Sequence, residues 1–123
     1  MNDYNQKHHP SEIRLKREEK ILEVDFEDGV TARLPAELLR VESPSADVQG
    51  HGPGQKKTIA GRRHVGIMGV EPVGNYAVRL KFDDMHDTGI FTWDYLYDMG
   101  ARQDEMWADY LRALEEKGLS RDP

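Results

Sequence analysis

Residues 13–34, IRLKREEKILEVDFEDGVTARL, decide the fold. Apolar and charged side chains alternate over residues 13–16 and again over residues 21–26, which is typical of strands with one buried face. Asp28-Gly29 then gives a strong indication of a tight hairpin turn. Residues 30–34 return as a third strand. The sequence therefore predicts an antiparallel three-strand meander at the start of the domain.

Further strands and helices follow the meander. Pro35 is a favourable residue to begin a short helix over residues 36–40. Three more strands are predicted, at residues 64–70, 76–82 and 88–92. Thr92 can cap a helix over residues 93–99. A last helix over residues 102–117 carries one apolar stripe, formed by Trp107, Tyr110, Leu111 and Leu114. The predicted fold class is α+β, with a small antiparallel sheet, short helices and a C-terminal amphipathic helix.

These elements divide the chain into four segments. Residues 1–10 are polar, contain His8-His9 and end at Pro10, which predicts a disordered tail. Residues 11–100 form the folded domain, residues 101–118 form a helix that packs on it, and residues 119–123 are a short tail.

Composition excludes several classes of protein. The chain has 123 residues, of which 37% are hydrophobic and 33% are charged, and it has no cysteine. The absence of cysteine excludes disulfides, thiolate zinc sites, cysteine-held iron–sulfur clusters and cysteine nucleophiles. No apolar run approaches the length of a membrane helix, and the chain start lacks the pattern of a secretory signal. We therefore expect a cytoplasmic protein that does not bind a membrane.

The charge is unevenly distributed. The net charge is −6, which argues against binding of nucleic acid, but residues 49–82 hold six basic side chains and one acidic one. Arg62 and Arg63 lie in this basic part. Two interpretations stay open at this point, a local site for an anion or ion pairs with the acidic C-terminal part of the chain.

A long segment without periodicity covers residues 42–63. It is rich in glycine and proline, with Gly50, Gly52 and Gly54 around His51. Loops of this length are uncommon in small domains and are usually functional or disordered. No phosphate-binding or dinucleotide-binding motif is present. We predict that this segment contacts a ligand or a protein partner, with its glycines and Arg62 and Arg63 as contact residues.

Two histidines are candidates for chemistry. His86 lies in a predicted turn among aspartates, and His51 lies in the glycine-rich segment. They could form a metal or anion site together with Ser43, Ser45 and Asp47. The alternative is that His86 stabilises a turn and that His51 is an exposed loop residue. Imidazoles combined with hydroxyls are weak ligands for first-row metals.

Aromatic residues are concentrated near the end of the chain, where Trp93 and Tyr95 are followed by Tyr97, Trp107 and Tyr110. They could form core between the last helix and the sheet. They could also form a partly exposed patch that binds a partner, with Trp93 and Tyr95 as its contact residues.

Several of these segments together resemble a known family. They are Asp28-Gly29 with its strands, Leu38-Leu39-Arg40, the stretch from Ser43 to Gln55, and the stretch from His86 to Leu96. They are similar to the DUF971 family, also called the gamma-butyrobetaine hydroxylase-like N-terminal domain, over about residues 13–97. The resemblance implies a small β-rich α+β domain. It does not extend to a catalytic barrel, so no oxygenase activity is expected.

The resemblance also implies a metal. In the carnitine-pathway oxygenases this domain holds a structural zinc through three cysteines and one histidine, and it contributes to dimer contacts. The histidine corresponds to His86, and the cysteine positions fall near Ser43, Ser45 and Val48. Because this chain has no thiolates, we expect no cofactor, with zinc or another divalent metal as the alternative.

Three functions follow as hypotheses. The favoured one is a non-catalytic binding module that contacts a protein partner through residues 43–63 and the aromatic segment near Trp93. The second is a metal-binding or anion-binding domain centred on His86 and His51. The third is a small enzyme with His51 as general base. The chain could be a monomer or a homodimer.

Overall fold

Two antiparallel sheets of three strands each form the frame of the protein. The structure is a computed structural model that describes residues 6–123. Its elements, in chain order, are β1 (Pro10–Lys16), β2 (Ile21–Phe26), β3 (Thr31–Pro35), α1 (Ala36–Val41), α2 (Ala46–Gln49), β4 (Ile67–Val73), β5 (Ala77–Phe82), β6 (Ile90–Thr92), α3 (Trp93–Ala101) and α4 (Gln103–Glu116). The α+β class is confirmed. The strands form two sheets, however, where the sequence predicted one.

The first sheet is the predicted meander, with strand order β1-β2-β3. Gly29 adopts a positive φ of 91°, and its N–H donates to the carbonyl of Phe26 over 2.9 Å, which closes the predicted hairpin. Leu22 and Val24 are fully buried on β2. The three paired strands and the hairpin at Gly29 therefore confirm the meander that the alternation of apolar and charged residues predicted.

The second sheet, with strand order β4-β5-β6, begins later than predicted. Residues 62–65 form a turn, in which the Val65 N–H donates to the carbonyl of Arg62 over 3.1 Å, and β4 begins only at Ile67. The strand then runs through Pro72 to Val73, three residues beyond the predicted end at residue 70. Proline is tolerated here because β4 is an edge strand, and an edge strand has one side without a ladder of hydrogen bonds.

One apolar core joins the two sheets with α1 and α3. Its largest fully buried side chains come from both sheets and from these helices, namely Leu22, Leu34, Leu38, Leu39, Leu80, Phe82, Phe91, Leu96 and Met99. Thr92 caps α3 as predicted, since its hydroxyl accepts from the Tyr95 N–H over 3.1 Å. Within residues 6–123 no helix is both long and apolar enough to cross a membrane.

The buried face of α4 differs from the predicted stripe. Met106, Tyr110 and Leu114 are buried, whereas Leu111 is 40% exposed. These three residues are spaced four positions apart and lie on one side of the helix. The buried side of α4 is therefore the side of Met106, and Leu111 lies outside it. Tyr110 and Leu114 form a small second core with Val41.

Both ends of the described chain are held in place, contrary to the prediction for residues 6–10. Asp94 accepts from the backbone N–H groups of Lys7 and His8 over distances of 2.9–3.1 Å, and the His8 ring stacks on Tyr97. Residues 1–5 of the predicted tail lie outside the described residues.

The C-terminal residues are anchored by Arg121. Its guanidinium donates two hydrogen bonds, of 2.7 and 2.8 Å, to the carboxylate of buried Glu37. It also lies 4.9 Å from the ring centroid of Trp107. The backbone of residues 120–121 accepts hydrogen bonds from Gly61 and Arg63. Residues 119–123 therefore bind the end of the long loop to α1 and α4.

Removing this anchor should destabilise the protein. We expect Arg121→Ala to lower the free energy of unfolding by about 1–3 kcal/mol, because the buried Glu37 carboxylate loses its partner. Urea denaturation followed by circular dichroism measures the change. Arg112→Ala is the matched control, since its pair with Asp109 is exposed on both sides. Equal effects for the two variants would contradict the expected role of Arg121.

Candidate functional site

A buried polar cluster forms around His86. Its Nε2 lies 2.9 Å from Ser43 Oγ and 3.3 Å from Ser45 Oγ, and the two hydroxyl oxygens are 3.2 Å apart. On the other side of the ring, Nδ1 lies 3.4 Å from a carboxylate oxygen of Asp47. The structure thus brings together four of the five residues of the predicted metal or anion site.

Local structure positions each member of this cluster. Ser43 follows the end of α1, and Ser45 is the N-cap residue immediately before α2. His86 lies in the turn between β5 and β6, where its carbonyl accepts from the Phe82 N–H over 2.9 Å. Its own N–H donates to the Asp84 carboxylate over 3.2 Å. The hairpin therefore presents the imidazole to the segment between the two short helices.

Gly89 allows the hairpin to approach Ser43 closely. A Cβ atom at position 89 would lie only 2.3 Å from Ser43 Oγ and 3.1 Å from the Phe91 ring. Ser43 and Phe91 are both completely buried, so a Cβ at position 89 would force Ser43 Oγ away from its present position in the cluster. The chain needs glycine here for the cluster to form.

The electrostatics favour a neutral His86. Burial, and next the positive charge of Arg40, lower the pKa of His86 below its usual value, against the opposing effects of Asp47, Asp84 and Asp87. A neutral imidazole has one donor and one acceptor nitrogen. The carboxylate beside Nδ1 favours the tautomer protonated there, which leaves the lone pair of Nε2 for the serine hydroxyls.

An ion-pair network adjoins the cluster. The Arg40 and Arg62 Nε atoms both donate to the same oxygen of Asp84, over 2.7 and 2.6 Å. Although burial opposes ionisation, hydrogen bonds from Arg40, the His86 backbone and Arg62 lower the pKa of Asp84. Within residues 6–123, Arg40 Nη1 is buried without a hydrogen-bond partner in the protein, which is a position suited to an ordered water.

Hydrolase active sites also contain a serine, a histidine and a carboxylate in hydrogen-bonding contact. In this protein, however, a substrate has no access to the serine. Ser43 is 0% exposed, so a substrate cannot reach its hydroxyl. A catalytic serine needs space for the reacting carbonyl about 3 Å from its oxygen, whereas a single Cβ atom added at position 89 would already lie 2.3 Å from Ser43 Oγ. This geometry supports hydrogen bonding rather than nucleophilic attack.

The donor set also does not fit the zinc that the family resemblance implies. Ser43 and Ser45 supply neutral hydroxyls, whereas zinc in proteins is held by thiolates, imidazoles and carboxylates. Val48, at the third cysteine position, is a buried apolar side chain. Among residues 6–123 no three histidine, aspartate or glutamate side chains come together as a metal site would need.

His51 is separate from the cluster. It is exposed, and its backbone N–H donates to the side chain of Gln55 over 2.9 Å. Gly50 has a φ of 75°, and a Cβ there would lie 2.5 Å from Gln55 Cβ, so the loop folds back on itself at this glycine. Of the other two predicted contact glycines, Gly54 is exposed and Gly52 is half-buried.

The two predicted cationic contact residues already have acidic partners. Arg62 binds Asp84, and Arg63 donates to Asp122 over 2.5 Å. Lys56, in the same loop, binds Glu42 over 2.6 Å. Arg62 and Arg63 therefore form ion pairs with the acidic C-terminal part of the chain, as the second interpretation of the charge expected, whereas Lys56 pairs with a residue that precedes the basic segment.

The aromatic residues belong mainly to the core. Trp93 is 8% exposed, and its indole N–H donates to the carbonyl of Asn75 over 3.0 Å. Tyr95 is half-buried, and its hydroxyl donates to the carbonyl of Glu42. Burial raises the pKa of Tyr95. The Trp93 ring is thus not available to a partner, which corrects the prediction that it is a contact residue.

A cavity of about 280 Å³ lies elsewhere, beside Trp107 and Leu38. The Glu37–Arg121 ion pair is part of its wall, and both charges of that pair are satisfied by each other. None of the candidate residues predicted from the sequence lines this cavity.

Sequence reasoning missed two exposed methionines. Met85 is 85% exposed and Met68 is 61% exposed, the largest values among the large hydrophobic side chains of the described residues. Met85 also has a left-handed backbone, with φ of 75°, at the tip of the β5–β6 turn. Methionine in a strand-rich sequence is normally assigned to the core, so only the surrounding run of aspartates could have indicated its exposure.

Protonation of His86 should weaken the fold. Its lowered pKa means that the unfolded chain binds the proton more readily, so the free energy of unfolding should decrease as pH falls from about 7 to about 5. Urea denaturation over this range measures the decrease. His86→Gln should show a smaller decrease, because it lacks the titrating ring. An identical pH dependence in both proteins would be evidence against this assignment.

The close approach of Gly89 can be tested separately. We expect Gly89→Ala to reduce the free energy of unfolding by about 1–3 kcal/mol, since the added methyl overlaps Ser43 Oγ. Gly52→Ala is the control, because a Cβ there would meet only the flexible end of Gln55, at 3.9 Å. Chemical denaturation compares the two, and a stable Gly89→Ala protein would contradict the packing described.

Comparison with known proteins agrees with this fold. Two structures solved by NMR in solution are similar to the chain, one at 51% identity with a TM-score of 0.82, covering 94% of this chain and 91% of that one. The other has 41% identity and a TM-score of 0.83, covering 100% of this chain and 92% of that one.

A crystal structure gives a further match. It is that of a protein of unknown function in the DUF971 family from Acidithiobacillus ferrooxidans, with 45% identity and a TM-score of 0.64. The match covers 76% of this chain and 93% of that one. No functionally curated protein matches. Residues 13–97 match the family described as Gamma-butyrobetaine hydroxylase-like, N-terminal. The chain therefore belongs to this family, also called DUF971.

Proposed function

We propose that the protein is a non-catalytic module that binds a protein partner, as expected from the long loop of residues 43–63. The contact surface consists of the exposed side chains of the turn of residues 83–88, together with Met68 and the adjoining helix α2. The observation that carries the proposal is Met85, which is 85% exposed in a left-handed backbone conformation.

Neither property of Met85 favours methionine at this position. A left-handed backbone costs a residue other than glycine roughly 1–2 kcal/mol, and an exposed methionine buries almost no apolar area. Glycine or asparagine would suit the turn better. Local features that disfavour folding occur preferentially where a protein makes functional contacts.

The second methionine lies at the same end of the sheet. The Asp83 N–H donates to the carbonyl of Gly66 over 2.9 Å, and Ile67 pairs with Phe82. Met68 therefore flanks the turn that carries Met85. Methionine side chains are flexible and polarisable, which suits a surface that adapts to a partner.

The long loop joins this surface through α2. Asp47 contacts His86 and also accepts from the Thr88 hydroxyl over 3.4 Å. Its carboxylate is largely exposed, as are Asp83 and Asp87. Met85 with these three carboxylates near it would suit a partner segment that has an apolar side chain flanked by lysine or arginine.

The cluster around His86 gives less support to the alternative, a metal or anion site. Its hydroxyls are bonded to the histidine, and Arg62 and Arg63 are paired with carboxylates. Complete burial of Ser43 favours a non-catalytic role in the same way. A cytoplasmic location would be consistent with a protein partner of this kind.

Crosslinking followed by binding measurements tests the proposal. A photoreactive amino acid at position 85 should crosslink one protein in cells, whereas the same group at position 111, an exposed residue of α4, should not. With the captured protein purified, Met85→Ser should weaken binding about tenfold or more if Met85 is a central contact. Leu111→Ser should leave the affinity unchanged. Equal affinity of Met85→Ser and the unaltered protein would contradict the proposal.

A further inference from the structure

The side chains of Ser43, Ser45 and His86 do not match the zinc site that the family resemblance implies, because two of the three are neutral hydroxyls. We propose that hydrogen bonds within the cluster close this part of the fold without a metal ion. The protein is then metal-independent, and the cluster is a clamp between the segment after α1 and the β5–β6 turn. This inference does not depend on the proposed partner binding.

The first argument is distance. Two ligands held about 2.0–2.1 Å from a tetrahedral zinc ion lie about 3.3 Å apart. Ser43 Oγ and His86 Nε2 are only 2.9 Å apart, which is the length of a direct hydrogen bond. This pair, and not the pairs with Ser45 Oγ at 3.2 and 3.3 Å, therefore distinguishes a direct hydrogen bond from joint binding of an ion.

The second argument is space. Ser43 is completely buried, and Gly89 lies so close that a Cβ there would be 2.3 Å from Ser43 Oγ. The hydroxyl thus fills the gap between the two chain segments. Moving it outward to make room for an ion would require the β5–β6 turn to move as well.

The third argument is the pairing of polar atoms. Ser43 Oγ contacts Ser45 Oγ at 3.2 Å, His86 Nε2 at 2.9 Å, and the Ser45 backbone N–H at 3.4 Å. Buried hydroxyls and imidazoles are stable when such partners exist, and a neutral cluster avoids the cost of burying an ion. The polar groups of the cluster are satisfied by one another.

The cluster also joins two parts of the chain that are far apart in sequence. Ser43 and His86 are separated by 43 residues, and the ion pair between Arg40 of α1 and Asp84 forms a second link to the same turn. The clamp therefore fixes the position of the turn relative to α1 and α2.

Metal dependence is the first test, made on untagged full-length protein. Thermal unfolding should give the same Tm after exhaustive dialysis against a chelator and after addition of excess Zn²⁺. Calorimetric titration with Zn²⁺ should be identical for the unaltered protein and for His86→Gln. A chelator-induced fall in Tm that Zn²⁺ reverses, or Zn²⁺ binding that His86→Gln abolishes, would overturn the proposal.

The hydrogen bonds are the second test. Ser43→Ala should lower Tm by about 3–8 °C, because the buried imidazole loses its nearest partner. Ser11→Ala, at an exposed serine, should not. In the His86→Gln background the further loss from Ser43→Ala should be much smaller, since the two groups act as a pair. Additive losses, or no loss from Ser43→Ala, would overturn the clamp.

A third readout needs no variant. The ¹⁵N spectrum of the unaltered protein at neutral pH should show a neutral His86 ring with its proton on Nδ1 and with Nε2 as an acceptor. A ring protonated on both nitrogens, or an Nε2 signal that changes on addition of Zn²⁺, would contradict the proposal even if His86→Gln fails to fold.

Discussion

Contact between the inner faces of the two small sheets is the interaction on which the rest of the structure depends. A three-stranded sheet is stable only when one face is covered, and here Leu22 and Val24 of the first sheet share a core with Leu80 and Phe82 of the second. The helices α1 and α3 complete the cover. This core fixes the positions of the hairpins, and it therefore brings the β5–β6 turn against the segment after α1. Water is excluded from this contact, so the polar side chains of Ser43, Ser45 and His86 have to form hydrogen bonds with one another.

Much of the fold could be predicted because alternation and turn chemistry are local properties. The meander, the Asp28-Gly29 hairpin and the Thr92 cap all follow from a few neighbouring residues. The start of β4 could not, since it depends on a turn at Val65 that no local pattern indicates. The division into two sheets likewise depends on which strands pair over long distances. The rotation of α4 that exposes Leu111 depends on the surface against which that helix packs.

The candidate site was predictable in part, for a similar reason. Ser43, Ser45 and Asp47 are close in sequence, and their proximity to His86 could be inferred together with the family resemblance. Whether His51 joins them depends on the path of a glycine-rich loop, which has few preferences of its own. Exposure of Met85 depends on a turn conformation that is unfavourable for its residue type, so propensity gives the wrong indication there.

The position of Pro72 has a consequence for how other molecules can approach. It interrupts the free backbone edge of β4, and the opposite edge of that sheet is the three-residue strand β6. The second sheet thus offers no long uninterrupted row of backbone donors and acceptors for an added strand. At this sheet, recognition through side chains is therefore favoured over the pairing of an extended peptide with a sheet edge, and the same two edges limit self-association into extended β-structure.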